Sequence, residues 1–418
     1  MSPQNVFSPA SAAEAHRRGI VPAAGSREFF RDPYPTYRSL REEGRLVWLR
    51  PGVQACTRYD DCLALLRDPR LSASRYMRPI AHYTDEQRSR LATWVHIASR
   101  QVIFTDRPDH TRLRSLLMPA FSSKSIERLI PRLASLFLQI LDEVPLGIEF
   151  DFMRSIARRF PAIVIGELLG IPPNGWDRLM NWCDAFMDFF TTVPAPFELA
   201  LEAQQATIEL IEYVQRLVAV RKSQPAGDLI STLLGARQDA DTLTTDEILA
   251  QCALLLVAGH ETTRNLLGNG LHTLLRHPSA ITRLRQDSSL VRGAVEEILR
   301  FHGPVQGISR VVATQHELFG KTLEPGQTII ILVASANRDP VKFPDPDRFD
   351  VERKNNIHLT FGAGQHTCLG SQLARLEAQM VITMLLRRYR RIDLVDADPP
   401  WTETLLARGP KRLDMVCE

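Results

Sequence analysis

The segment Phe361-Gly362-Ala363-Gly364-Gln365-His366-Thr367-Cys368-Leu369-Gly370 puts a lone cysteine after a glycine-rich loop and at the start of a helix. Amides at a helix N-terminus favour an anion, so Cys368 is expected as thiolate although a free thiol has a pKa of ~8.5. Glycines let the backbone pass close to a flat cofactor and turn amides toward the sulfur. A cysteine thiolate on haem iron pushes electron density that favours O–O cleavage. Without context, a single cysteine reads more readily as a buried structural thiol.

Three further groups supply that context. Glu297 and Arg300, in Glu297-Ile298-Leu299-Arg300, stand at i and i+3 on one helix face; alone they read equally well as a surface ion pair. Ala258-Gly259-His260-Glu261-Thr262-Thr263 falls midway along a long helical stretch. There glycine weakens the helix, and a threonine hydroxyl can bond a carbonyl one turn back, so the ladder can open into a groove. His260 reads as a packing or solvent-side residue. The third group is cationic: His110 and Arg114 at i and i+4, His366 two residues before Cys368, and Arg310 at the head of a strand. Each alone is an ordinary charge, so the inference rests on their joint placement.

The pattern FxxGxxxCxG, filled by Phe361, Gly364, Cys368 and Gly370, resembles the cytochrome P450 family of haem-thiolate monooxygenases, in its soluble bacterial form. The resemblance runs from about Asp32 to the C-terminus, although only short segments are diagnostic. It implies haem b as cofactor, Cys368 as proximal ligand and metal-binding residue, and Phe361 packed beside the haem, with Ala258, Gly362 and Gly370 also against it. His110, Arg114, Arg310 and His366 would pair the two propionates. Thr262 would hydrogen-bond dioxygen or its water, and Glu261 would help carry protons inward. Pro346-Asp347-Arg348-Phe349 resembles the family segment that gives Glu297 a second arginine, which makes Glu297, Arg300 and Arg348 a structural trio. The activity implied is insertion of one oxygen atom into, or oxidative modification of, a hydrophobic small molecule, in secondary metabolism or catabolism. Hydroxylation, epoxidation and coupling are not distinguished. The pocket would draw on Met77 to Val102, Phe186 to Phe197, Leu255 to Thr262, Val305 to Ile308 and Thr402 to Leu406; Phe186, Phe189 and Phe190 also read as plain core. Electrons would come from a ferredoxin or flavodoxin with its reductase, because the scattered cysteines offer no iron–sulfur set. Arg112 is the candidate docking cation, whereas the run Arg387 to Arg391 reads as a solvated helix end. A peroxide-driven haem enzyme and a haem sensor without turnover are the rival readings; Glu261 and Thr262 argue against both.

The elements that must position these residues are mostly helical. Hydrophobic residues make up 44% and charged residues 24% of 418, which supplies ample core. The balance of 51 basic and 48 acidic residues is too even to suggest nucleic acid as partner. Six cysteines without a CxxC pair predict a reduced, cytoplasmic protein, and no apolar run approaches the ~20 residues of a spanning helix. Thr244 and Glu247 have capping-box spacing and open a helix that runs to Arg276, roughly 50 Å long and the expected spine. A helix, a hairpin at Arg50-Pro51-Gly52 and a second helix are expected over Asp32 to Pro69. A long loop with one brief helix near Trp94 follows over 72–104. Strands are expected at Ser309–Ala313, Glu317–Leu323 and Thr328–Leu332, and a last helix from Leu369 to about Tyr389. The predicted fold is therefore mainly α with a small β portion, one P450-like monomeric domain over 1–418 without a fused reductase. Its first thirty or so residues form a loosely ordered lead-in, and haem lies between the spine and the helix after the Cys368 loop.

Overall fold

The computed structural model describes residues 26–192, 194–236 and 241–418. Most of the expected lead-in and Val193 lie outside them, but the lead-in's last residues form a short helix, Arg27–Arg31, capped by the Ser26 hydroxyl.

The spine helix is Thr245–Leu275, 31 residues and about 46 Å long. Its start is fixed by a reciprocal box: Thr244 Oγ1 accepts from Glu247 N at 3.2 Å, and Glu247 Oε2 accepts from Thr244 N at 2.8 Å. The helix is buried on nearly every side because helices Arg159–Leu169, Trp176–Thr191, Phe197–Ser223, Val291–His302 and Ser371–Arg388 all pack against it. Gly259 permits one close approach: a Cβ there would lie 2.5 Å from Ile165 Cδ1. The helix continues unbroken through Gly259, so this glycine serves packing rather than opening a groove.

Among the described residues ten strands form three small sheets: β1 (Val47–Arg50), β2 (Val53–Cys56), β3 (Leu71–Ser72), β4 (Phe150–Asp151), β5 (Ile308–Val312), β6 (His316–Leu318), β7 (Lys321–Leu323), β8 (Thr328–Ile331), β9 (Ile392–Leu394) and β10 (Asp414–Cys417). The largest has the order β1-β2-β8-β5-β3, with β2 and β8 parallel and its other pairs antiparallel. It sets Arg310 opposite Ile329, and Ile308 at the start of β5 lies 3.5 Å from where a Cβ on Gly362 would be. The stretch expected as one strand over 317–323 folds back at Phe319-Gly320, both with positive φ (52° and 74°), to pair β6 with β7.

Residues 72–104 depart most from expectation. They form turns at Arg78–Ile80 and Val102–Phe104 and helices at Asp85–Ser89 and Ala92–Ala98, the first behind a Thr84/Gln87 capping box. Elements of three to seven residues are too short to show a helical period. Among the described residues no helix is long and apolar enough to cross a membrane.

Candidate active site

The Cys368 loop is held by its own backbone. Cys368 N donates to Phe361 O at 2.8 Å, and Gly362 N to Leu359 O at 2.8 Å. Gly362 and Gly364 adopt φ of 70° and 72°, the left-handed conformation that favours glycine. The last helix begins at Ser371 with Gly370 as its cap, two residues later than expected. Behind the loop, Arg375 lies 4.4 Å over the Phe361 ring and pairs with Glu296 at 2.6 Å, while His358 reaches the same carboxylate at 3.2 Å. Burial opposes ionisation of Glu296, but these hydrogen bonds hold it down at about 2.

Among the described residues five of the six cysteines are buried and Cys368 alone is exposed. Although Cys368 is exposed, the protein packed around its thiol pushes it up, and the Gly370 amide, Arg114 and Arg375 oppose that without offsetting it.

The four sequence-predicted cations converge. The His110 and His366 rings are 4.1 Å apart, and neither His110 Nδ1 nor His366 Nε2 has a hydrogen-bond partner. Arg310 is pulled down to about 10, by burial against the help of Asp106, and Arg114 is also lowered by burial. Asp106 is already occupied by the Ser72 hydroxyl and, at 2.9 Å, by Ala73 N. Among the described residues no ion pair engages Arg114 or Arg310. Buried donors without an acceptor and cations without a counter-ion call for an anionic group between them.

Glu297 and Arg300 are fully buried and meet at 2.8 and 2.7 Å. Asp350 N donates to Glu297 at 3.0 Å and Asn356 Nδ2 at 3.0 Å. The second arginine is not Arg348 but Arg353, whose Nε is 3.1 Å from Glu297 Oε1. Arg348 is 70% exposed and lies 3.7 Å from Asp350; only its carbonyl joins the cluster, accepting from Arg300 at 3.2 Å. Arg353 reaches inward because the chain turns there, with Arg353 N donating to Asp350 O at 3.0 Å.

On the spine helix, Thr262 Oγ1 donates to Ala258 O at 2.7 Å. Glu261 accepts from Arg264 at 3.1 Å and Asn265 at 3.0 Å, yet burial outweighs both and raises its pKa. His260 turns away, bonding Arg158 O at 2.8 Å, and burial lowers it to about 4, which fits the packing role expected for it.

Residues 176–416 match the family model described as Cytochrome P450. The chain belongs to the cytochrome P450 family. It is 36% identical over 404 residues to cytochrome P450 monooxygenase PikC of Streptomyces venezuelae, covering 93% of this chain and 91% of that one. It is 34% identical over 413 residues to 6-deoxyerythronolide B hydroxylase of Saccharopolyspora erythraea, covering 94% and 99%. The solved structure of P450BioI in complex with hexadec-9Z-enoic acid ligated acyl carrier protein matches with a TM-score of 0.86 at 32% identity, over 94% of this chain and 99% of that one.

This P450 is thus a haem-thiolate monooxygenase, mainly α with a small β portion. The residues fit the cofactor: one exposed cysteine at the end of a glycine-rich loop, and a cationic cluster needing an anion. When bound, haem supplies the iron at which dioxygen is activated. A cavity of about 250 Å³ lies against the spine, walled by Trp94, Phe104, Phe186, Phe190, Val257 and Thr262. Ala258 and Glu261 also line it. Phe186 and Phe190 face this space, whereas Phe189 is core, edge-on to Trp94 at 5.4 Å. The expected stretches Val305–Ile308 and Thr402–Leu406 do not line the described cavity; Ala407, bridged to Val305, does. Arg112 is not a free docking cation, since it pairs with Glu247 and, at 3.5 Å, with Asp241. In the basic run, Arg388 and Arg391 form exposed pairs with Asp142 and Asp393, in keeping with a solvated helix end.

Proposed function

We propose that this P450 oxidises a predominantly apolar organic molecule held in the cavity beside Thr262, with Cys368 as the haem ligand. The observation that carries this is the placement of Thr262 and Glu261 on the wall of a largely aromatic and aliphatic cavity. His110, Arg114, Arg310 and His366 bind the propionates, and Phe361, Gly362, Gly370 and Ala258 lie against the ring. Thr262 would donate a hydrogen bond to dioxygen from the cavity wall. Glu261, kept easier to protonate by burial, passes protons toward it from the Arg264 side. Glu297, Arg300 and Arg353 hold the fold that presents the Cys368 loop.

Electrons are supplied by a ferredoxin or flavodoxin with its reductase, and the enzyme acts as a single-domain monomer in the cytoplasm. Its free cysteines, including Cys56 and Cys62 with sulfurs 3.8 Å apart, support a reducing compartment.

Reduced protein exposed to carbon monoxide tests the central assignment. The strongly red-shifted Soret band of thiolate-ligated ferrous haem is expected in wild type and absent in Cys368→Ser. A histidine-type band in wild type would overturn it. Spin-state shifts across a panel of apolar compounds, followed by turnover with a ferredoxin system, then test substrate class and electron source.

A further inference from the structure

Arg75 belongs to the stretch between β3 and the Arg78–Ile80 turn. Its Nη1 donates to Ala73 O at 3.0 Å and Ile103 O at 3.4 Å, and its guanidinium lies 5.0 Å from the Phe104 ring centroid. Ile103 and Phe104 line the cavity, so the side chain runs along the back of the cavity wall. Its other neighbours are cations. Burial, then the charges of Arg310 and Arg78, pull Arg75 down to about 9, and Asp106 is the one acid opposing them. Asp106 is spent on Ser72 and Ala73 N, and among the described residues no carboxylate forms an ion pair with Arg75. The carbonyl bonds occupy a single nitrogen of the guanidinium, which leaves its remaining N–H groups for a planar acceptor.

We propose that Arg75 is a further haem-propionate ligand, contributed by the cavity wall beside Arg310. This rests on the haem-thiolate reading of Cys368. A propionate placed between Arg310 and Arg75 supplies the negative charge that both lack, and arginine matches a carboxylate with two parallel hydrogen bonds. Because Arg75 also holds the Ile103 carbonyl, it positions the Val102–Phe104 turn, and with it part of the cavity wall, against the cofactor.

The test uses holoenzyme carrying Arg75→Gln or Arg75→Lys, with Arg78→Gln as a control on the same segment. Haem transfer to excess apomyoglobin should be about tenfold faster in R75Q, the loss expected from one charge-assisted hydrogen bond. Its ferric/ferrous potential should fall, because removing a nearby cation favours the more positive ferric state. R75K should keep the wild-type potential while losing haem at an intermediate rate, and R78Q should match wild type in both. The carbon monoxide spectrum of each variant separates the two readings: an unchanged thiolate band with altered retention supports Arg75, whereas no thiolate band in wild type condemns the Cys368 assignment instead. Wild-type retention and potential in R75Q would overturn the proposal. If R75Q shows those values but lacks a spin-state response to myristic acid that wild type gives, the arginine serves a substrate carboxylate and the proposal also falls.

Discussion

Arg353 Nε lies 3.1 Å from Oε1 of Glu297, on a carboxylate whose other contacts come from Arg300, Asp350 N and Asn356. The Glu297 side chain has no exposed surface and that of Arg353 only 11%, so neither can recover the lost partner's energy from water. Replacing Glu297 with Gln leaves two guanidinium groups facing a neutral amide. We expect it to cost about 3–5 kcal/mol and to abolish haem incorporation. Arg353→Ala should approach that loss, whereas Arg348→Ala should change stability by less than about 0.5 kcal/mol. Urea unfolding and the haem-to-protein ratio measure both, and an equal loss at the two arginines would restore Arg348 to the trio.

Thr262 spends its hydroxyl on the Ala258 carbonyl one turn back, so the group can turn toward the cavity without moving the helix. In Thr262→Ala no hydroxyl remains to position a proton donor. Product per electron pair consumed should fall roughly tenfold while hydrogen peroxide rises, and Thr262→Ser should restore coupling. Glu261→Gln should slow turnover by about a hundredfold with a larger solvent isotope effect, since proton supply becomes limiting. Unchanged coupling in Thr262→Ala would remove the role assigned to it.

The Cys368 loop was legible because its geometry admits few residue types: Gly362 and Gly364 have positive φ, and the sulfur follows at a fixed distance. The spine was legible because Thr244 and Glu247 announce its start and length makes the period visible. Arg353 was not, because both it and Arg348 lie in an irregular stretch and the turn at Asp350 decides which one points inward. The same holds for Ala407, which meets the cavity only through a bridge to Val305, 102 positions earlier by subtraction of their numbers. Arg75 carries no signal in the sequence because its neighbours in space, Ile103 and Arg310, come from other segments.

Three buried histidines predict acid sensitivity. His302 accepts from Arg408 Nε at 3.1 Å and faces Thr273 at 3.2 Å through its other nitrogen, so a proton would meet Arg408, with His272 and Arg338 also near. Burial lowers His302, His272 and His260 from the ordinary 6.5, the last to about 4. A lowered histidine stabilises the fold fully above its unfolded value, and this is lost as pH falls toward the folded value, because only the unfolded chain takes up the proton. Between pH 6.5 and 5, before most carboxylates titrate, stability should drop by up to about 1.4 kcal/mol per pH unit for each histidine. Urea unfolding across that range measures the slope; a flat profile would mean that these side chains protonate within the fold.

Glu377 predicts the opposite trend on the alkaline side. It sits within the helix Ser371–Arg388, 2% exposed, and Oε2 has no hydrogen-bond partner. Burial alone pushes its pKa well above the ordinary 4.5, so the fold holds the neutral acid while the unfolded chain ionises. Stability from such a group is complete below 4.5 and is lost progressively as pH rises toward the folded value. Glu377→Gln removes that titration at little change in shape, and Glu377→Met also removes the unpaired oxygen. Both should be more stable than wild type at pH 8, by about 1–3 kcal/mol, with the advantage shrinking toward pH 5. If Glu377→Gln is instead less stable at pH 8, the carboxylate is ionised and paired in the folded protein, and burial is not what governs this position.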